Sequence, residues 1–75
     1  MRDNPFGQSA RPARIQSVAK AARILRAFTH DHPEWSVSGL SQHLSWHKAV
    51  VHRILATLSE DGLLQQNPES RRYRL

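Results

Sequence analysis

Two apolar runs at helical spacing, separated by a break of three residues, constrain this chain more than any other feature. Val37, Leu40 and Leu44 fall at i, i+3 and i+7, and Val51, Ile54, Leu55 and Leu58 form a second face of the same period. Ser45 and Trp46 break the phase between them, and the second helix starts near His47 or Lys48. Two helices joined by so short a link cross steeply. Such a corner needs apolar residues inside the first helix, in the turn and on the inner face of the second. Leu40, Leu44, Trp46, Val51 and Ile54 fill those places. The crossing leaves the outer face of the second helix open to solvent, and a helix so presented has the width of the DNA major groove.

The flanking segments complete a small fold. Upstream, Val18, Ala21, Ala22, Leu25 and Phe28 predict a helix over about residues 15–30, with Lys20, Arg23 and Ala27 facing the other way and Ser17 as cap or early-turn residue. Asp31, His32 and Pro33 stop it, because proline disfavours a helical residue before it. Ser38 is the expected N-cap of the second helix. Gly62 is placed to end the third in a left-handed cap. Residues 63–66 then read as a strand, 67–70 as a turn and 71–75 as the returning strand. The class is mainly α with a small β-hairpin, a winged helix-turn-helix over residues 15–75. Residues 1–14, interrupted by Pro5, Gly7 and Pro12, read as a flexible basic arm.

Charge placement suggests the partner. Of 75 residues, 11 are Lys or Arg and 6 are Asp or Glu, a net +5. The first 26 residues hold Arg2, Arg11, Arg14, Lys20, Arg23 and Arg26 against Asp3, and the last five hold Arg71, Arg72 and Arg74. Only Lys48 and Arg53 lie between, among five carboxylates. Positive ends with two isolated central cations point to a polyanion, DNA ahead of membrane. Arginine dominates, which suits planar, bidentate contact with phosphate and guanine.

Several classes are excluded. There is no cysteine, hence no disulfide framework or thiolate zinc site, in keeping with a reducing cytoplasm. No apolar run approaches the roughly 20 residues of a membrane span, and residues 1–14 lack the apolar core of a signal peptide. His30 with His32, and His43 with His47, have chelating spacings, but no cysteine or carboxylate cluster completes a ligand set, so no metal or other cofactor is expected. The carboxylates Asp31, Glu34, Glu60 and Asp61 lie at helix ends without a nucleophile or base beside them, and there is no glycine-rich phosphate loop. An enzyme is not expected.

Residues 17–28, 48–58, 62–64 and 72–75 together resemble the amino-terminal domain of IclR-type bacterial transcription regulators. The most specific stretches are Arg53-Ile54-Leu55-Ala56-Thr57-Leu58 and the closing Tyr73-Arg74-Leu75. The resemblance implies a winged helix-turn-helix that binds operator DNA as a homodimer, with a small-molecule effector taken by a separate carboxy-terminal domain that is absent from these 75 residues. Three departures stand out. Ser45 replaces a glycine usual in the turn, Ala49 and Val50 stand where hydroxyl residues are frequent, and Arg71 replaces a common wing glycine. Ala49 and Val50 offer apolar contact, for example to thymine methyls, which alters the operator read rather than the function.

The expected DNA-contacting residues are therefore His47, Lys48, Ala49, Val50, His52 and Arg53 on the third helix, Arg71, Arg72 and Arg74 on the wing, and Arg14 in the arm. Lys48 in a first turn is disfavoured by the helix dipole, which argues for a phosphate partner. Arg53 otherwise reads as half of an ion pair with Glu60. Tyr73 and Leu75 are expected to pack on Leu64, and Trp35 and Trp46 to pack rather than stack on bases. With about 4–6 phosphates neutralised per monomer, the salt slope should be near −4 to −5. One monomer covers one half-site, so specific binding calls for a dimer on a palindrome. The competing reading is a winged helix used for protein–protein contact, with DNA incidental. It calls for an apolar stripe on the third helix, where this chain has His47, Lys48, His52 and Arg53. Single-stranded RNA binding calls for exposed aromatics on a sheet, which a short hairpin does not supply.

Overall fold

The computed structural model describes residues 13–75. The arm expected over residues 1–14 lies, up to residue 12, outside the described residues. Three helices, α1 (Gln16–Ala27), α2 (Val37–Leu44) and α3 (Lys48–Glu60), combine with three two-residue strands, β1 (Glu34–Trp35), β2 (Gln65–Gln66) and β3 (Tyr73–Arg74), in the order α1-β1-α2-α3-β2-β3. The strands form an antiparallel sheet in the order β1-β3-β2, with Glu34 opposite Arg74, Trp35 opposite Tyr73 and Gln66 opposite Tyr73. The expected hairpin is thus widened by β1, which is too short to display any alternation in sequence.

The core joins all the helices to the sheet. Ile24 and Phe28 from α1 and its exit, Trp35 from β1, Leu40 from α2, Val51, Leu55 and Leu58 from α3, and Leu64 and Tyr73 from the wing are buried together. Leu44, Trp46 and Ile54 are half-buried against this cluster, so all five apolar places of the corner are used as expected. Trp35 ties β1 to α1 by donating from Nε1 to the Ala27 carbonyl at 2.9 Å. His32 stacks on its ring at 3.6 Å between centroids and His43 lies tilted against it at 4.8 Å. These two histidines are therefore engaged in packing. Among the described residues no group of three or more His, Asp or Glu is arranged to hold a metal ion.

Several details differ from the sequence expectations. α1 ends at Ala27, not near residue 30, because Phe28 leaves the helix with extended backbone and turns into the core. A tight turn over residues 29–32 follows, in which the Thr29 and His32 backbones exchange hydrogen bonds and Thr29 Oγ1 accepts from the His32 N–H at 3.1 Å. The face of α1 is also rotated. Ile24 is fully buried, while Val18 and Ala22 are exposed and Ala27 packs inward. Burying one isoleucine removes more apolar area from water than burying the alanines on the expected face.

Ser36, not Ser38, caps α2, its Oγ accepting from the Gly39 N–H at 2.9 Å. The paired strands are shorter than the apolar pattern suggested. Leu64 is buried but Leu63 is exposed, and Leu75, expected in the core, is 63% exposed because sheet pairing stops at Arg74. Gly62, with φ of 85°, does end α3 in the left-handed region as expected.

Candidate nucleic-acid interface

α3 is held by Val51, Leu55 and Leu58 on its inner side, which turns the amino-terminal half of its outer side to solvent. His47, Lys48, Ala49, His52 and Arg53 are exposed and Val50 is half-buried. His47 is the N-cap but its side chain makes no capping bond, and the first turn contains no carboxylate. The positive end of the helix dipole and the Lys48 ammonium thus coincide, an arrangement that favours an anion. Arg53 and Val50 line a shallow groove between α3 and the start of α1, about 580 Å³ in volume, together with Lys20, Val18 and Ile54. The Arg53 carbonyl accepts from Thr57 Oγ1 at 2.7 Å.

The corner that aims α3 is closed by two bonds from one serine. The buried Ser41 accepts the Trp46 N–H on its carbonyl at 3.0 Å, and its Oγ donates to the Trp46 carbonyl. Ser45 between them adopts φ 59°, ψ 43°, the left-handed conformation a glycine would take at lower cost.

On the wing, Asn67 builds the turn. Its Oδ1 accepts from the Glu69 and Ser70 N–H groups at 2.8 and 3.1 Å, and its carbonyl accepts from the Arg71 N–H at 2.8 Å. Arg71 is left-handed as well, with φ of 68°, so both glycine-replacing residues carry positive φ. The three wing arginines are not equivalent. Arg74 lies directly across the sheet from Glu34, and Arg72 and Arg74 share a surface cleft with Asp31 and Glu34. Arg71 lies outside that cleft. Arg14 is exposed just ahead of α1.

Sequence reasoning passed over two cations. Lys20 and Arg23, read as merely outward-facing on α1, each approach the Trp46 ring at 5.8 Å from its centroid. The available signal is the excess of cations in the first 26 residues, which includes Lys20, Arg23 and Arg26 of the first helix. No carboxylate occurs in α1 or α2, and α3 has none before Glu60. The cations of the helices thus stand apart from the acidic residues of their own elements, while Arg72 and Arg74 of the wing stand among carboxylates.

Comparison with known proteins settles the family. Residues 17–68 match the IclR helix-turn-helix domain. The chain belongs to that family. Over 61 residues it is 38% identical to the HTH-type transcriptional regulator XynR of Escherichia coli, covering 81% of this chain and 24% of that protein. It is 34% identical to the glycerol operon regulatory protein of Streptomyces coelicolor over the same shares of the two chains. The structure of an IclR transcriptional regulator from Alicyclobacillus acidocaldarius superposes with a TM-score of 0.80 at 31% identity, over 84% of this chain and 26% of that one. The chain thus spans about a quarter of the length of the regulators it matches. It is a helix-turn-helix domain of the DNA-binding, transcription-regulator type. No helix among the described residues is long and apolar enough to cross a membrane.

Proposed function

We propose that this domain reads double-stranded DNA with α3 in the major groove, as one half of a homodimer on a palindromic operator in the bacterial cytoplasm. His47, Lys48, Ala49, Val50, His52 and Arg53 provide the contacts of the helix, with arginine and lysine on phosphate or guanine and Ala49 and Val50 on thymine methyls. Arg71 and Arg72 reach the backbone or minor groove from the wing, Arg74 adds charge at the wing base opposite Glu34, and Arg14 tracks phosphates ahead of α1. A small-molecule effector, in this reading, acts through a further domain outside these residues.

The single observation that carries the proposal is the two-sidedness of α3. Its inner side supplies Val51, Leu55 and Leu58 to the core, while its exposed amino-terminal half bears Lys48 and Arg53 with no carboxylate before Glu60. An interface for another protein would need an apolar stripe there.

Fluorescence anisotropy with a random-sequence duplex and with duplexes selected from a random library, at three salt concentrations, tests it. The wild-type chain should bind with a steep salt slope, near −4 to −5 per monomer. Arg53→Ala should cost about 1–3 kcal/mol on a selected duplex, a loss of roughly 5- to 150-fold. Binding that is absent, or indifferent to Arg53, moves the function to protein–protein contact or to another face.

A further inference from the structure

Trp46 sits immediately before the N-cap of α3, and Lys20 and Arg23 both converge on its ring at 5.8 Å. An indole ring attracts a cation within about 6 Å through its quadrupole, which fixes the side chain without cancelling its charge. A carboxylate would have done both. Lys20 and Arg23 are also one helical turn apart on α1, a spacing at which like charges repel. The ring therefore gathers two cations that resist being gathered, and nothing anionic in α1, α2 or the first twelve residues of α3 relieves them. Lys20 further lines the groove that holds Val50 and Arg53, which carries this charge to the exposed start of α3. A diester phosphate is the partner that satisfies such a pair. It is singly charged, it accepts from several donors at once, and successive phosphates run alongside any helix seated in a major groove.

We propose that Lys20 and Arg23, held over Trp46, form a second phosphate-binding pair beside the amino-terminal end of α3, independent of the wing. The inference rests on the reading of α3 as the DNA-contacting helix. Its consequence is that α1 clamps the duplex backbone next to the reading helix, where the cations are free of carboxylates, while the wing contributes less because Arg72 and Arg74 lie beside Asp31 and Glu34.

The test compares the 75-residue chain with K20Q/R23Q, with the charge-conserving swap K20R/R23K, and with R53A, on a random-sequence duplex over a range of salt concentrations. Loss of two phosphate contacts should make the salt slope of K20Q/R23Q shallower by about 2, with affinity down roughly tenfold or more, while K20R/R23K keeps the wild-type slope. Urea unfolding of the same samples reports separately on the fold. A K20Q/R23Q slope equal to wild type overturns the proposal, whatever the change in stability, and assigns the two cations to packing on Trp46. If R53A weakens binding while K20Q/R23Q does not, the clamp alone is lost and the role of α3 stands. If the wild-type chain shows no salt-dependent binding, both readings fall.

Discussion

Helices α2 and α3 end in the same hydrogen-bond pattern on different residues, and the contrast explains how the reading helix is aimed. At the end of α3, the Leu63 N–H reaches the Leu58 carbonyl at 2.9 Å and the Gly62 N–H reaches Ser59 at 3.1 Å. At the end of α2, the Trp46 N–H reaches Ser41 at 3.0 Å and the Ser45 N–H reaches Gln42 at 3.3 Å. Both are Schellman closures around a residue with positive φ. Gly62 adopts it at no steric cost and has nothing within 4 Å of where a Cβ would stand. Ser45 adopts it against its own Cβ, and the surroundings hold it there. Ser41 bonds Trp46 from two atoms, and Trp46 is packed against the core below with Lys20 and Arg23 above. One helix end is closed by its residue type, the other by its neighbours. A corner over-determined by packing sets the direction of α3 more firmly than a free glycine would.

The largest expected effect removes those neighbours. Trp46→Ala deletes a half-buried ring and leaves Ser45 held by hydrogen bonds alone, so it should cost about 2–3 kcal/mol in urea unfolding, below the 3–5 typical of fully buried tryptophan. A cost of only a few tenths would show that the Ser41 bonds suffice, and the contrast would dissolve. Next is Gly62→Ala. With open space around the new methyl, its cost is conformational and should be about 1–2 kcal/mol. Should Gly62→Ala prove neutral, the end of α3 must re-form without a left-handed residue, and the two closures would differ in kind.

Much of this was legible beforehand, and for a physical reason. Leu40, Leu44, Trp46, Val51 and Ile54 occupy a corner whose geometry depends on apolar period and link length, both written in the chain. Gly62 announced its own conformation. What stayed hidden depends on three-dimensional competition. The face of α1 follows whichever side buries Ile24, and β1 is two residues long and exists only through its pairing with β3. Ser36 rather than Ser38 caps α2 because the helix starts where β1 releases the chain. In the site, exposure of Lys48, His52 and Arg53 followed from the helical period. The uneven surroundings of the wing arginines did not, since Glu34 meets Arg74 only across the sheet. Nor did the seat of Lys20 and Arg23, because the aromatic ring they share lies more than twenty residues away in the chain.

The smallest effect is the most discriminating. Ser45→Gly should raise stability by about 0.5–1 kcal/mol, the balance between relief of a left-handed serine, roughly 1–2, and the added backbone entropy of glycine, roughly 0.5–1. The main-chain bonds between Trp46 and Ser41, and the Ser41 hydroxyl bond, do not involve the Ser45 side chain, which is exposed. The gain should therefore appear in thermal or urea unfolding with DNA affinity unchanged. Combined with Trp46→Ala, the same substitution should gain less than it does alone, because a serine no longer clamped by its neighbours can relax out of the left-handed region and has less strain to shed. Equal gains in the two backgrounds would mean that Trp46 does not hold the corner, and that α2 and α3 end alike after all.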